Sequence, residues 1–289
     1  MEENTDSHDR SPTPEYSICA TTRNAIRTIE TSLTSILSQL DDRFEVIVVD
    51  SESSDGTLEM IRRMQRKFRR LSVISRRCSR GLGRHIAYKV SKGRYLIQQV
   101  DSDVVYQPTL HRILDHYHSM ERIYGQCAIY VEGAYLICAK DLMDKIGGWP
   151  DLQFAEDSYV YARLSVICAF DYNRSLASSA VKDHVKLVGP KESHNVLANG
   201  YVIWRDLHRV VPSPRAVDLL RLHLAEERSL RRKIGHVLMF AVGILAQYSK
   251  PRYKLHGFEL QNYMGAEEYP NETVFYDMVR SRCTKAQVT

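Results

Sequence analysis

The stretch of residues 95–106, YLIQQVDSDVVY, is a mostly apolar run that carries two carboxylates, Asp101 and Asp103. The apolar residues before the pair predict a buried β-strand, so the two acids stand where that strand ends. Oxygen ligands of this kind are the ones that hard divalent cations prefer in proteins. The same spacing also occurs in turns and caps, so the pair indicates a cation site only if the chain supplies matching parts.

Three further strands are predicted before this one, and each is followed by polar or charged residues. The runs and the residues after them are Tyr16–Ala20 before Thr21 and Arg23, Phe44–Val49 before Asp50, and Leu71–Ser75 before a basic turn. Segments with helical spacing separate the strands, which predicts an α/β layer with a mostly parallel sheet. Ligands bind outside the carboxyl ends of strands in such sheets, so the four strand ends predict one ligand site.

The composition is that of a globular protein with unevenly placed charge. The 289 residues are 44% hydrophobic and 26% charged, which is ordinary for a soluble chain with a sizeable core. The net charge is +5, yet the segment from Arg62 to Arg84 holds ten lysines or arginines and no acid. This segment predicts a positive field suited to phosphates, nucleic acid or acidic lipid, although a solvated helix face accounts for part of it.

The cysteines and the N-terminus bear on the cellular compartment. Six cysteines occur without CxxC or other metal-type spacing, which favours a reducing and hence cytoplasmic location. Residues 1–14 are polar and contain no apolar core of a signal peptide, so they are predicted to be a disordered tail.

The second half is less regular at first and then becomes helical. Residues 126–140 predict two strands, and Glu156 and Asp157 open a helix whose dipole favours acids in its first turn. Further helices are predicted over 215–227 and 234–248, the latter directly after a basic run at 231–233. Its apolar stretch is too short to predict a transmembrane span. Peripheral contact with the inner face of a membrane through residues 229–250 and packing of this helix on the α/β layer both fit this pattern.

Five motifs in order along the chain resemble those of the family 2 glycosyltransferases. They are the strand that ends in Thr-Thr-Arg-Asn, then VIVVDSESSDGT, RGLGRHIAYKVSKGRYL, QQVDSDVVY and GGWPDLQFAEDSYVYARL. The resemblance covers residues 16–184, which is more than half of the chain. It implies an inverting nucleotide-sugar enzyme of the Rossmann-like GT-A fold, an α/β class with a mostly parallel sheet and flanking helices, followed here by a C-terminal helical appendage.

Resemblance and composition together predict the domain organisation. Residues 1–14 are the tail, and residues 15–210 are the GT-A catalytic domain. Within that domain, 15–107 form the nucleotide-binding half and 108–210 the acceptor half. Residues 211–289 are a helical extension, for which membrane association is one of the two options above.

The resemblance also assigns the metal ligands. Asp103 matches the family's principal ligand of a Mg²⁺ or Mn²⁺ ion, and Asp101 matches the residue shared between the metal and the donor ribose. His184 aligns with a histidine that some members carry near the metal, and a purely structural histidine fits this position as well. An ion held by few protein carboxylates keeps positions open for both phosphates of the donor.

The remaining family positions concern the nucleotide and the acceptor. The matching residues are Asp50 at the nucleoside, Thr21 and Arg23 in the first nucleotide-binding loop, and Arg80 and Arg84 near base and phosphate. Glycines between these arginines would let N–H groups approach an anion.

Asp157 matches the base that removes the acceptor proton, with Glu156 in support or binding the acceptor. Trp149 matches an aromatic position where sugar stacking and core packing both fit. His85 departs from the asparagine common in the family.

The leading hypothesis is therefore a metal-dependent, inverting glycosyltransferase that acts on a glycan or lipid-linked hydroxyl acceptor and releases a nucleoside diphosphate. A nucleotidyltransferase is an alternative, but the chain lacks the glycine-rich first loop that holds a triphosphate. A non-catalytic module that binds nucleic acid or membrane through residues 62–84 would bind in a salt-dependent way without a divalent cation. Acids at every catalytic position disfavour it, so no nucleic-acid partner is expected.

Overall fold

The computed structural model describes residues 13–132, 135–167, 169–172, 184–187, 196–226, 228–246 and 253–254. Strands and helices alternate in the first half, as the sequence predicts. These elements are β1 (Tyr16–Thr22), α1 (Ile29–Leu37), β2 (Phe44–Asp50), α2 (Thr57–Gln65), β3 (Leu71–Ser75), α3 (Arg80–Val90) and β4 (Tyr95–Asp101). The tail predicted for residues 1–14 lies almost wholly outside the described residues.

The second half begins with short strands and ends in three helices. Its elements are β5 (Val104–Tyr106), α4 (Leu110–Tyr124), β6 (Ala128–Glu132), β7 (Tyr135–Ala139), α5 (Lys140–Lys145), α6 (Glu156–Ile167), β8 (Ala169–Tyr172), β9 (His184–Lys186), α7 (Val196–Val210), α8 (Ser213–Glu226) and α9 (Leu230–Ala246). The two strands predicted over residues 126–140 are thereby confirmed as β6 and β7.

Seven of the described strands form one sheet in the order β3-β2-β1-β4-β7-β6-β8. Six of these seven run in the same direction, and β7 is antiparallel to its neighbours β4 and β6. Helices flank the sheet, with α3 packed against β1 and β2. The predicted α/β architecture, a mostly parallel sheet with flanking helices and a C-terminal helical region, is confirmed.

The central strands are buried, which accounts for their nearly continuous apolar sequences. Val46, Val48 and Ile97 are at most 1% exposed, and Ile29 and Leu33 of α1 are 1% exposed beside them. A strand that is covered on both faces has no side that must be polar. Each fully buried side chain of this size contributes roughly 1.5–3 kcal/mol, so this layer fixes where the strand ends lie.

An irregularity in β4 lies directly before the acidic pair. The pairing with β1 shifts so that Gln98 and Gln99 stand opposite Cys19 alone. Gln99 has a φ of 66°, in the left-handed region that a residue with a side chain rarely occupies. Bulges beside functional sites redirect the side chains that follow them. The bulge therefore sets the direction in which Asp101 leaves the sheet.

The C-terminal helices differ from the sequence prediction in two ways. The basic run 231–233 lies within the start of α9 rather than before it. Helix α7 has no counterpart in the prediction, and it packs closely against α9 across the domain boundary predicted at residue 210. None of the helices in the described ranges is both long and apolar enough to cross a membrane.

Candidate active site

The carboxyl ends of β1, β2 and β4 lie side by side at one edge of the sheet. In the strand register, Thr21 is paired with Asp101, and Thr22 is paired with Asp50. Asp50 is fully buried, and its carboxylate accepts hydrogen bonds from Ser53 N (2.9 Å) and Ser53 Oγ (2.5 Å). Three of the predicted strand ends thus meet where the sequence places the ligand site.

The turn after β4 is held in place through its backbone. The Asp101 carbonyl accepts hydrogen bonds from Ser32 Oγ (3.0 Å) and from the Tyr106 hydroxyl (3.2 Å), while Asp101 N donates to the Tyr106 hydroxyl oxygen (2.8 Å). The Asp103 carbonyl accepts a hydrogen bond from Leu187 N (2.6 Å). Because the backbone is fixed in this way, the Asp101 side chain stands 47% exposed at the sheet edge.

Arg84 of α3 connects this turn to the acidic pair of α6. Its side chain is 6% exposed, with Nη1 2.9 Å from Glu156 Oε1 and Nη2 3.7 Å from Asp101 Oδ1. The guanidinium also lies over the Trp149 ring, 4.9 Å from the centroid, and Trp149 Nε1 donates to Gln98 Oε1 (2.5 Å). Arg84 therefore joins the two acidic motifs, and the buried Trp149 ring packs beneath it, which favours core packing over sugar stacking.

The two acids at the start of α6 have different surroundings. Glu156 is 2% exposed, and burial raises the pKa of its carboxyl, while the guanidinium groups of α3 oppose that rise. Asp157 is half-buried, and its carboxylate accepts hydrogen bonds from Ser158 N (2.7 Å) and Ser158 Oγ (3.4 Å). Glu156 is therefore tied to the interior, whereas Asp157 retains contact with solvent.

The first turn of α3 packs against the loop that precedes α6. Three hydrogen bonds join them: Ser79 Oγ to Asp151 Oδ1 (2.6 Å), Arg80 N to Gln153 Oε1 (3.0 Å) and Gly81 N to the Leu152 carbonyl (2.9 Å). A Cβ at residue 81 would lie 2.0 Å from the Pro150 carbonyl oxygen. The N–H of Gly83 is also bonded, to the Ser79 carbonyl. The prediction that these glycines offer N–H groups to an anion is wrong, because both N–H groups bond within the protein.

Asp206 of α7 fixes the backbone directly before α6, and no motif in the sequence predicts this contact. It is fully buried, and its carboxylate accepts hydrogen bonds from Gln153 N (2.8 Å) and Phe154 N (3.1 Å), directly before α6. The available signal was an acid within an apolar helical pattern, followed by Arg209 one turn later. Charges inside such a pattern indicate a buried pair rather than a solvated face.

The other predicted residues lie near this edge without forming a complete ligand set. Arg23 follows β1 and is exposed, and Arg80 is 52% exposed with Nη1 3.6 Å from Glu156 Oε1. His184 begins β9, opposite Tyr106 of β5, and its side chain lies outside the described part. Among the side chains that the structure does describe, no three His, Cys, Asp or Glu residues are grouped so that they could hold a metal ion.

Residues 17–158 match the family model described as glycosyl transferase family 2. This part of the chain belongs to that family. The family region therefore extends from β1 to the first turn of α6 and includes every strand end described above. No curated protein matches the chain in sequence.

Several solved structures resemble this chain at low identity. TarS from S. aureus is 17% identical with a TM-score of 0.48, covering 82% of this chain and 44% of its own. TarS 1–349 in complex with UDP is 16% identical with a TM-score of 0.48, covering 88% and 81%. The mannosyltransferase PcManGT from Pyrobaculum calidifontis, in complex with GDP-Man and Mn²⁺, is 15% identical with a TM-score of 0.46, covering 96% and 87%. The chain thus spans less than half of the longer TarS structure, and the family assignment rests on the sequence match.

Proposed function

We propose that this family 2 glycosyltransferase is metal-dependent and inverting, and that it transfers a sugar from a nucleotide donor to an acceptor hydroxyl. The observation that carries the proposal is the bridge made by Arg84, whose guanidinium contacts both Asp101 and Glu156. The diphosphate and the acceptor hydroxyl must approach opposite sides of one carbon atom. Because the Arg84 guanidinium lies between the two acidic motifs, it supports the assignment of both motifs to one reaction site.

The strand ends would bind the nucleotide. Asp50 is proposed to bind the nucleoside, with Thr21 and Arg23 on the adjoining loop. Arg80 is proposed to contact a phosphate, because it is exposed and lies in the first turn of α3, where the helix dipole favours anions. Arg84 is buried between carboxylates, so its contribution to phosphate binding would be mainly through its charge.

The carboxylates of Asp101 and Asp103 fit a Mg²⁺ or Mn²⁺ ion in their chemistry. Both supply hard oxygen donors at the end of a strand, and two protein ligands allow an ion to keep water and phosphate oxygens as well. His184 would be a third protein ligand. A bound ion would neutralise the negative charge that develops on the leaving diphosphate.

Asp157 is proposed to be the general base. The acceptor oxygen forms a bond to the anomeric carbon while the bond from that carbon to the diphosphate oxygen breaks. The leaving diphosphate takes the bonding electrons, and the hydroxyl proton passes to the Asp157 carboxylate. Glu156 is the weaker candidate, because it is 2% exposed and its carboxylate already pairs with Arg84 at 2.9 Å.

Variants of the two acidic motifs test these roles separately. Asp103→Asn should abolish Mn²⁺-dependent transfer and weaken nucleotide binding, because it removes a charged ligand. Asp157→Asn should lower kcat about 10²–10⁴-fold, the usual contribution of a general base, with nucleoside diphosphate affinity unchanged. Asp115→Asn, on an exposed position of α4, is the matched control.

The products distinguish this reaction from its rival. Transfer with inversion releases a nucleoside diphosphate and a glycoside of opposite anomeric configuration, whereas a nucleotidyltransferase releases pyrophosphate from a triphosphate. NMR of the reaction mixture can follow the released phosphates and the anomeric configuration of the product. Unchanged turnover in Asp103→Asn would remove the metal assignment, and unchanged kcat in Asp157→Asn would remove the assignment of the base.

We further propose that the acceptor is met at a membrane surface through α9. Ile234, Leu238 and Leu245 on the outer side of this helix are 53%, 54% and 74% exposed, while its opposite side packs on α7. The helix begins with the basic run 231–233 and contains no acid. An exposed apolar face beside basic residues is complementary to an anionic lipid surface, which favours a lipid-linked acceptor over a soluble glycan.

A further inference from the structure

Asp206 is a fully buried carboxylate in the second half of α7 that accepts several hydrogen bonds. Four groups donate hydrogen bonds to it: Gln153 N (2.8 Å), Phe154 N (3.1 Å), Arg205 Nε (2.7 Å) and Arg209 Nη1 (3.3 Å). The two guanidinium groups more than offset its single negative charge, and Arg209 is itself fully buried. A buried charge that is paired and hydrogen-bonded in this way is held in one position.

The two amides that Asp206 binds stand immediately before the acidic pair of α6. Ala155 follows them with a φ of 62°, in the left-handed region, and Glu156 begins the helix. A residue with a side chain stays in that region only when its surroundings hold it there. The Asp206 carboxylate is one of the groups that hold this backbone, because it fixes the N–H groups of the two preceding residues.

The beginning of the loop that precedes α6 is held by Tyr253, which packs beside Arg209. Tyr253 N donates to the Arg209 carbonyl (2.8 Å), and Asp151 N donates to the Tyr253 hydroxyl oxygen (3.0 Å). The Arg209 guanidinium lies over the Tyr253 ring, 5.2 Å from its centroid. Residues 151–154 are therefore fixed between the first turn of α3 on one side and the Asp206–Arg209–Tyr253 group on the other.

We propose that Asp206 is a positioning residue for the transfer step, an inference that rests on the proposed function. Its carboxylate fixes the amides of residues 153 and 154 and so sets the start of α6, from which Asp157 reaches the acceptor hydroxyl. Its described hydrogen-bond partners are Gln153, Phe154, Arg205 and Arg209, and none of these is a proposed ligand of the metal or the donor. The family match ends at residue 158, so this contact is made by a part of the chain beyond that region.

Two substitutions at this position separate positioning from stability. Asp206→Ala removes the acceptor for both amides, and kcat should fall by up to about 10²-fold, the scale of loss known for a 1 Å misplacement caused by a distant mutation. Asp206→Asn keeps the side-chain size and one acceptor oxygen, so it should recover part of that loss. The Kd for nucleoside diphosphate with Mn²⁺ should stay within about twofold, because the strand ends are unchanged.

The matched control is Ile113→Ala, which removes a buried side chain from α4, a helix that packs against β6. All variants are assayed well below their unfolding midpoints. The control should lower Tm with kcat unchanged, whereas Asp206→Ala should lower kcat at equal folded fraction. An Asp206→Ala variant whose kcat equals that of the control, or whose nucleotide affinity falls as much as kcat, overturns the proposal.

Hydrogen exchange of the loop separates this proposal from the function on which it rests. In Asp206→Ala the amides of Gln153 and Phe154 should exchange at least tenfold faster, while amides of β1 and β4 keep their protection. Unchanged protection at residues 153 and 154 overturns the positioning role whatever the activity. A wild-type chain that turns over no nucleotide sugar, with the loop protection lost in the variant, contradicts the proposed function instead.

Discussion

A buried carboxyl beside a buried guanidinium makes the start of α6 sensitive to pH. Burial raises the pKa of Glu156, and Arg84 at 2.9 Å only partly opposes this. The folded protein therefore retains this proton over a pH range in which the unfolded chain has released it. The stability that results is fully present below the ordinary glutamate pKa of about 4.3 and is lost as pH rises through the folded pKa.

Replacement of Glu156 by glutamine should remove this contribution. Between pH 4 and pH 8, the free energy of unfolding of the wild type should decline relative to Glu156→Gln, by about 1.4 kcal/mol for each unit by which the folded pKa is raised. Urea unfolding at several pH values measures the difference. Glu59→Gln on an exposed position of α2 serves as control and should differ from wild type by a constant amount. A pH-independent difference for Glu156→Gln would show that burial does not shift this group.

Helix α3 packs on β1 and β2, and its first turn closely approaches the backbone of the loop before α6. The Cβ of an alanine at residue 81 would lie 2.0 Å from the Pro150 carbonyl oxygen and 3.0 Å from the Leu152 carbonyl oxygen. Neither atom belongs to a side chain that could rotate away. Substitution here must displace the loop that leads to Glu156.

Gly81→Ala should therefore destabilise the protein by about 1–3 kcal/mol, the usual cost of overpacking, despite the better helix propensity of alanine. Gly83→Ala is the matched control in the same helix. Its Cβ would meet Thr21 Cγ2 at 3.0 Å and Cys78 Sγ at 3.3 Å, which are side-chain atoms that can adjust. Urea unfolding of both variants measures the contrast, and equal stabilities would argue against backbone contact as the cause.

Six of the described strands and most helices could be predicted because apolar periodicity is a local property of the sequence. The short strands β5, β8 and β9 have no counterpart in the prediction. The bulge in β4 could not be predicted, since Gln98 and Gln99 have nothing in their sequence that distinguishes them from strand residues. Their side chains accept hydrogen bonds from Trp149 Nε1 and from the Tyr161 hydroxyl, both far along the chain. The conformation that directs Asp101 is thus imposed by tertiary contacts.

The acids of the candidate site are easier to predict from the sequence than the residues that hold them in place. Asp50 and Asp101 are recognisable because each directly follows an apolar strand, and parallel strands end at one edge. Arg84 could be assigned to the site but not to its two carboxylate partners. Asp206 lies fifty positions after Glu156 in a helix absent from the prediction, and its role depends on how α7 packs on the loop.

The outer face of α9 leads to a prediction about the whole protein. Vesicles that contain anionic lipid should float the wild-type chain, and vesicles of neutral lipid should do so weakly. Arg231→Gln with Arg232→Gln should weaken partitioning by about 2 kcal/mol, since each basic residue near the surface contributes about 1 kcal/mol, and this loss should shrink in high salt. Ile234→Ser with Leu238→Ser should weaken it at every salt concentration, because it removes apolar area that would enter the membrane.

The matched control is Ile123→Ser on α4, which removes an apolar side chain that is 68% exposed but lies outside α9. It should leave flotation unchanged, because a single exposed apolar side chain beside one acid and one base, Glu121 and Arg122, gives little membrane affinity. A membrane role also requires that nucleotide binding persist in the α9 variants, since the strand ends are untouched. If flotation is unchanged by both sets of α9 substitutions, then another part of the chain or a second copy covers the outer face of α9. In that case the acceptor is better sought among soluble glycans, and α9 serves to hold α7, and with it Asp206, against residues 151–154.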